Sequence, residues 1–277
     1  MKQVDGQFKG IDNLNLYYQC WLPTDEPKAI LLVVHGLAEH SGRYSNLVNY
    51  FVLRGYAVYG FDQRGHGKSD GVKGYVDRFS CFVDDLDIFL KLVHSKHHDV
   101  KTFLVGHSIG GTIATAYTIL HQCEFDGLIL SGASLIIPSD VAAGTICAAR
   151  ILSLILPKAG LYVIDADCIS QDRSVVNAYV DDLLVYRGKI RARLGVELIK
   201  AMGIVNRQLP EIHLPILVMH GTADRLSDPK GSRILYQKVS SADKMLKLYE
   251  GYYHEIFNEP GRGQVLADVE SWLKIHI

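Results

Sequence analysis

Short apolar runs alternate with amphipathic segments of helical length along most of the chain. Runs such as 29–34 and 102–105 contain only apolar or β-branched residues, which is typical of strands buried on both faces. A hairpin with Asp12 and Asn13 at its turn precedes this alternation. The pattern therefore predicts an α/β fold, in which helices flank a mostly parallel central sheet.

The predicted strands and helices alternate along the chain. After the hairpin, the predicted strands are 29–35, 57–62, 102–106, 127–132, 215–221 and 244–251. The predicted helices are 43–55, which ends at Gly55 as at a helix C-cap, then 79–96, 109–121, 230–239 and 263–277.

One stretch, from Ser134 to about Glu211, shows helical patterns and no convincing strand. We expect a core at 1–134, an all-helical cap (lid) inserted at 135–211, and the rest of the core at 212–277. Sheets of this kind bind ligands outside the carboxyl ends of their strands, so a cap there would shape a binding site. The alternative is a helical subdomain that only enlarges the core.

Composition and charge narrow the range of partners. The chain has 277 residues, and its formal net charge of −1 provides no field to attract nucleic acid. Its first ten residues lack the apolar core of a secretory signal. Five cysteines at scattered spacings fit a reducing compartment better than a disulfide framework. We expect a cytoplasmic protein that could touch membranes peripherally at one patch.

The candidate nucleophile is Ser108, in the sequence Gly106-His107-Ser108-Ile109-Gly110. This G-x-S-x-G pattern follows a predicted strand and opens a predicted helix, which is the context its chemistry requires. Glycine on both sides lets strand and helix approach while the turn lifts the hydroxyl clear of the sheet. The next amide, that of Ile109, then points toward any oxyanion that forms.

A serine hydroxyl needs a base, and in this architecture an acid and then a histidine follow the serine after later strands. Asp224 and Asp228 follow the predicted strand 215–221, and His254 follows 244–251. The only other histidine beyond these aspartates, His276, is one residue from the end of the sequence. We therefore predict His254 as base and Asp224 as its acid, with Asp228 capping the next helix.

A second oxyanion donor should come from the loop after an earlier strand. Gly36 allows a tight turn there, and the Leu37 amide is the candidate donor. His35 ends the buried strand, where a histidine more often orients the loop by hydrogen bonding than acts as a nucleophile or metal ligand.

These motifs resemble the monoglyceride lipase branch of the α/β-hydrolase superfamily over nearly the whole chain. G-x-S-x-G is shared by many hydrolases, whereas the first two of the following blocks are much more restrictive. The blocks are HGLAEHSGRY (35–44), DQRGHGKSDG (62–71), GHSIGG (106–111), HGTADRLSDPKG (220–231) and YEGYYH (249–254).

The resemblance implies the α/β-hydrolase fold, a Ser108, Asp224 and His254 triad, and an apolar acyl tunnel under a lid that meets membranes or micelles. It also places Glu39 and Arg43 near the glycerol head-group pocket; a local ion pair is an equally good interpretation of these two. Ile109 replaces the methionine or glutamine common in the family, which should not disturb a backbone donor. Phe257 stands where some members carry a second histidine, so the alcohol specificity stays open.

Other motifs suggest no further chemistry. The sequence DQRGHGKS resembles a phosphate-binding loop, but Asp62 occupies the position of its first glycine and would repel phosphate. His94 and His98 have a zinc-like spacing but lack a further ligand. The almost uncharged segment 141–157 predicts a lid helix resting on lipid, with Lys158 at its rim.

We therefore expect a serine hydrolase that cleaves monoacylglycerols to fatty acid and glycerol, with no metal or other cofactor and no nucleic-acid partner. Two alternatives remain open at this point. One is a lysophospholipase or short-chain carboxylesterase on the same scaffold, and the other is a non-catalytic binding protein with this fold.

Overall fold

The computed structural model describes residues 1–137 and 141–277. Within these residues the strands are β1 (Lys2–Lys9), β2 (Asn15–Leu22), β3 (Ile30–Val34), β4 (Ala57–Phe61), β5 (Thr102–His107), β6 (Gly127–Ser131), β7 (Gly160–Tyr162), β8 (Ile190–Arg191), β9 (Ile216–Gly221) and β10 (Lys244–Tyr249). The α-helices are α1 (Ser45–Val52), α2 (Ser80–His94), α3 (Ile109–His121), α4 (Ala143–Ile155), α5 (Arg173–Asp181), α6 (Ala192–Gln208), α7 (Lys230–Lys238) and α8 (Arg262–Lys274).

Eight strands form one sheet in the order β1-β2-β4-β3-β5-β6-β9-β10. The first two strands pair antiparallel, β2 also runs antiparallel to β4, and the remaining pairs are parallel. The turn between β1 and β2 holds Asp12 and Asn13 at φ 56° and 59°, a left-handed conformation that these two residue types tolerate. The predicted hairpin and the mostly parallel sheet are therefore confirmed.

Alternate residues of the central strands enter the two apolar layers on opposite faces of the sheet. In β3, Leu32 packs with the layer that includes α2 and α3, whereas Leu31 and Val33 pack with the layer that includes α1 and α8. All five residues of this strand are buried, as the continuous apolar run predicted. Because helices cover both faces, the open edge at the carboxyl ends of the strands is where loops can build a site.

Between β6 and β9 the chain leaves the sheet and forms α4, β7, α5, β8 and α6. Helix α6 packs against both α4 and α3, which attaches this insertion to the core. The prediction of an all-helical insertion is wrong, because β7 and β8 pair as a short antiparallel ribbon. Segments of three and two residues are too short to show a strand pattern in the sequence. Residues 138–140 of the predicted cap lie outside the described residues.

A helix, α4, is present where the sequence predicted the lid helix, and its C-terminal part exposes several large apolar side chains. Its last turn and the residue after it expose Ile151, Leu154, Ile155 and Leu156, between 54% and 75% each; we call these four residues the cap patch. Within the described part of the chain, no helix combines the length and apolarity needed to cross a bilayer.

Candidate active site

Ser108 occupies the sharp turn between β5 and α3. Its backbone is at φ 55° and ψ −122°, a strained conformation for a residue with a side chain. A Cβ on Gly106 would lie 2.7 Å from the Cα of Gly111, and one on Gly110 would clash with backbone oxygens of residues 34 and 35. Strand and helix therefore meet here only because these positions are glycine, as the motif requires.

The predicted acid and base lie together at the same edge of the sheet. Asp224 follows β9 and His254 follows β10, and the His254 Nδ1 is 2.6 Å from the Asp224 Oδ2. Both side chains are at least 94% buried. Asp228, the alternative acid, instead accepts the Lys230 N–H at 2.9 Å at the start of α7.

Asp224 receives hydrogen bonds on both carboxylate oxygens. Its Oδ1 accepts the amides of Leu226 and Ser227 at 2.8 and 3.0 Å, and its Oδ2 also lies 3.0 Å from the His220 Nε2. Burial alone would raise the pKa of Asp224, but the two histidines outweigh it and hold that pKa well below its ordinary value. The Asp224 carboxylate is therefore ionised over the pH range in which His254 gains and loses its proton.

The pKa of His254 reflects two opposing effects. Burial lowers it, while the charge of Asp224 and the hydrogen bond to it raise it more, so the net shift is upward. The imidazole of His107 packs at 4.6 Å from that of His254, centroid to centroid. Burial keeps the pKa of His107 well below 6.5, so this neighbour adds no positive charge. The arrangement stabilises a positive charge on His254 alone.

The Ser108 hydroxyl lies in a short chain of hydroxyl groups. Its Oγ is 3.4 Å from the Ser134 Oγ, which lies 2.6 Å from the Ser227 Oγ. Ser108 and His254 line the same cavity. The structure records no hydrogen bond between the Ser108 Oγ and the His254 ring. Hydrogen bonds between nucleophile and base are often loose before substrate binds.

The two residues predicted to supply the oxyanion donors, Leu37 and Ile109, line the cavity together with Ser108. Ile109 is the first residue of α3, so its N–H has no acceptor within the helix. Leu37 lies in the loop after β3, and Gly36 next to it donates its own N–H to the Glu39 carboxylate. His35 fixes this loop, since its Nδ1 lies 2.8 Å from the Gly36 oxygen. Leu37 and Ile109 both line the cavity, as two oxyanion donors should.

A buried charge cluster lies beside this site. Arg43 makes two hydrogen bonds to Glu255, at 2.9 and 2.8 Å, while its Nε lies 3.7 Å from a Glu39 oxygen. The Tyr44 hydroxyl donates to Glu39 at 2.7 Å, and the Arg43 guanidinium stacks over the Tyr179 ring at 4.8 Å. Glu39 and Glu255 also line the cavity. The two interpretations of Glu39 and Arg43, as a local ion pair and as residues near a head-group pocket, are therefore compatible.

Glu255 was missed by the sequence reasoning, although its position directly after His254 offered a signal. Burial and the negative charge of Glu255 raise the pKa of Glu39 to about 7 against the opposing effect of Arg43. Two carboxylates therefore face one guanidinium, and the cluster can hold a proton near neutral pH.

The cavity has a volume of about 650 Å³, within the range of small-molecule sites. Its polar end is formed by the groups described above. The rest is apolar and comes largely from the insertion, including Ile146, Leu152, Leu161, Leu198 and Met202.

One cluster could hold a metal ion, but it lies elsewhere. Within the described residues, the ligand atoms of Asp87, His121 and Glu124 lie within 4.8 Å of one another. These atoms already have partners, since Lys91 binds Asp87 at 2.7 Å and the Tyr117 hydroxyl binds Glu124 at 2.7 Å. None of the three lines the cavity.

Fold and geometry together define a serine hydrolase of the α/β-hydrolase superfamily. The sequence profile of the Hydrolase_4 family, described as serine aminopeptidase S33, matches residues 25–261. The monoacylglycerol lipase of Mycolicibacterium smegmatis is 35% identical over 270 residues, covering 98% of this chain and 96% of the relative. Human monoglyceride lipase is 36% identical over 273 residues, covering 98% of this chain and 88% of the relative. The chain belongs to the monoglyceride lipase family.

Solved structures agree with this assignment. A soluble variant of yeast monoglyceride lipase, in complex with a substrate analogue, superposes with a TM-score of 0.88 at 27% identity. The match covers 98% of this chain and 94% of the yeast chain. The predicted α/β-hydrolase fold and the predicted family are therefore confirmed.

Proposed function

We propose that this carboxylic-ester hydrolase cleaves monoacylglycerols to a free fatty acid and glycerol. The observation that carries the proposal is an acid–base pair, His254 with Asp224, beside the same cavity as Ser108, whose remaining lining is mostly apolar. One acyl chain would occupy the apolar part and bring the ester carbonyl to the serine. Relatives named as monoacylglycerol lipases support the choice of substrate.

In the proposed mechanism the ester is cleaved in two steps. The Ser108 oxygen attacks the ester carbonyl carbon as His254 takes its proton, and Asp224 stabilises the imidazolium. The Leu37 and Ile109 amides stabilise the oxyanion, each contributing about 3 kcal/mol to the transition state. His254 then protonates the departing glycerol oxygen, leaving the acyl group on the serine. A water molecule, deprotonated by His254, releases the fatty acid and restores the hydroxyl.

We assign the polar head group to the cluster of Glu39 and Arg43. Glu39 lines the cavity, and its carboxylate could accept hydrogen bonds from glycerol hydroxyl groups. Arg43 would hold Glu39 and Glu255 in place through its buried contacts. With two carboxyl groups beside one guanidinium, the cluster has no net positive charge whether or not Glu39 is protonated, which favours a neutral, hydroxyl-bearing alcohol over a phosphate.

We also propose that the cap, at 135–211, lets the protein meet a lipid surface peripherally, with a cytoplasmic location. The cap patch exposes four large apolar side chains on the insertion that lines the acyl cavity. Charges placed there, as in the double variant Ile151→Glu and Leu154→Glu, should reduce hydrolysis of vesicle-bound monoolein and leave a soluble ester unaffected. Leu120→Glu, at a position 68% exposed on the core helix α3, is the matched control. Unimpaired action of the double variant on vesicles would contradict the proposal.

A comparison of three substrates tests the proposed activity. Monoolein, lysophosphatidylcholine and a short-chain nitrophenyl ester are assayed with the wild type and with Ser108→Ala. We expect the highest kcat/KM with monoolein, and loss of all three activities in the variant. A preference for the phospholipid or for the short ester would replace the substrate assignment. Failure of the wild type to hydrolyse any of the three would indicate a non-catalytic binding protein.

A further inference from the structure

The loop 36–40, which we call the oxyanion loop, is held on its inner side by the core. The Glu39 carboxylate accepts the Gly36 N–H and the Tyr44 hydroxyl. The His35 ring contacts the Gly36 oxygen and also accepts the Gln63 N–H at 2.9 Å. These contacts fix the start of the loop, immediately before Leu37.

The outer side of the same loop is held by the insertion, through residues 182–186, which we call the cap segment. The Tyr186 N–H donates to the Ala38 oxygen at 2.8 Å. The His40 Nε2 lies 2.8 Å from the Asp182 Oδ2. Because the His40 Nδ1 accepts the Gly42 N–H at 3.1 Å, its proton is on Nε2 and is donated to Asp182.

These two bonds flank a strained residue. Ala38 is at φ 67°, in the left-handed region that a residue with a Cβ avoids. Such a conformation persists only where the surroundings impose it. One cap bond is made by Ala38 itself and the other by His40, two residues further on. Ala38 directly follows Leu37, so relaxation at this point would shift the backbone of Leu37, whose N–H is held from the other side through the contacts of Gly36.

Asp182 is well placed to be the fixed end of this contact. Its second oxygen accepts the Leu184 N–H at 2.8 Å, directly after the end of α5. Burial raises the pKa of Asp182, but the hydrogen bonds from His40 and Leu184 and the nearby positive charges together outweigh it and lower the net pKa. Asp182 is not among the described residues that line the cavity, so its side chain has no direct path to the substrate.

We propose that the cap segment holds the oxyanion loop in its catalytic conformation, with Asp182 acting as a positioning residue through His40. The inference rests on the proposed function, because it assumes that the Leu37 amide binds the oxyanion. The cap would then do more than enclose the acyl chain, since catalysis would depend on the cap segment being in place. The effect should therefore extend to substrates too small to use the cap cavity.

The test compares kcat and KM for two esters in the full-length protein. Asp182→Ala should lower kcat about ten- to a hundredfold for both a short nitrophenyl ester and monoolein, with KM within about twofold, since small misplacements of catalytic groups have effects of this size. Asp172→Ala is the matched control, because Asp172 caps the other end of α5 through the Ser174 N–H and does not contact the loop. It should leave kcat unchanged.

Asp182→Asn keeps the proposal falsifiable if Asp182→Ala does not fold, and a double variant tests whether His40 and Asp182 act through one contact. Asp182→Asn retains an acceptor for the Leu184 amide and loses the charge opposite His40, so it should show a smaller loss of kcat. His40→Ala combined with Asp182→Ala should lose no more than one of them alone, because both remove the same contact.

Other results would overturn the proposal. Unchanged kcat on the short ester, with only KM for monoolein raised, would make Asp182 a residue that shapes the cap. Multiplicative losses in the double variant would also contradict it. If the wild type hydrolyses neither ester, the proposed function fails; if the wild type is active and the variants match it, only the positioning role fails.

Discussion

Replacing Asp224 with asparagine should nearly abolish activity while preserving the fold. An asparagine side chain has one oxygen, and two amides, those of Leu226 and Ser227, already point at the Oδ1 position. The NH2 group would then face His254 Nδ1, where the wild type has an acceptor at 2.6 Å. Facing a donor, His254 must leave Nδ1 unprotonated and carry its proton on Nε2. In that tautomer it cannot take the proton of Ser108.

The size of the effect follows from this tautomer switch. Locking the base in the wrong tautomer costs about 10⁴-fold in kcat, or about 5 kcal/mol of transition-state stabilisation. A shift in the pH profile should accompany it. The wild-type kcat/KM should rise with pH through a His254 pKa above 6.5, because only the neutral imidazole is a base. In the variant, burial still lowers the pKa of His254 but the charge of Asp224 no longer raises it. The midpoint of the residual activity should therefore move to lower pH.

Steady-state kinetics on a soluble nitrophenyl ester from pH 5 to 9 measure both effects, and circular dichroism checks the fold. Asp228→Asn is the matched control, since that carboxylate lies four residues away and, among the described residues, accepts only the Lys230 N–H. It should keep nearly full activity. Retention of more than a tenth of the activity by Asp224→Asn, or an equal loss in the control, would refute the assignment.

Two further predictions concern the packing of the site and its charge. Gly110→Ala should lower the free energy of unfolding by about 1–3 kcal/mol, because the new methyl group meets carbonyl oxygens at the end of β3. Gly144→Ala, whose methyl group meets no described atom within 4 Å, is the control in urea unfolding. Equal stability of the two variants would contradict this explanation. Glu39 should make the free energy of unfolding fall as pH rises between its ordinary pKa of 4.5 and its folded value of about 7, because the folded protein keeps a proton that the unfolded chain releases. Glu255→Gln should flatten that part of the curve, and an unchanged slope in urea unfolding at stepped pH would show that the two carboxylates do not interact.

The sheet could be predicted because the central strands consist mostly of consecutive apolar or β-branched residues. In β3 and β5 this pattern requires burial on both faces, which only flanking helices supply. The ribbon of β7 and β8 could not be predicted, since its pairing depends on the packing of the insertion and not on its own few residues. The core could therefore be predicted from regular sequence patterns, whereas the structure of the insertion depends on tertiary contacts that such patterns do not show.

The candidate site also contains residues that could be predicted from the sequence and residues that could not. Ser108, Asp224 and His254 each follow a strand, and parallel topology brings strand ends to one edge, so their positions in the sequence were informative. The contacts of Arg43 with Glu255 and of His40 with Asp182 join residues 212 and 142 positions apart, and no local pattern encodes them. Sequence reasoning therefore reached the residues that motifs mark and missed the partners that hold them.

The most direct test of the central claim is to map the adduct formed with a fluorophosphonate, which reacts only with an activated serine. Intact-mass and peptide analysis of the wild type should show one adduct per chain, on the peptide that contains Ser108. The variants Ser108→Ala and His254→Ala should show none at the same reagent concentration. An adduct on another serine, or undiminished labelling of either variant, would contradict the assignment of nucleophile and base.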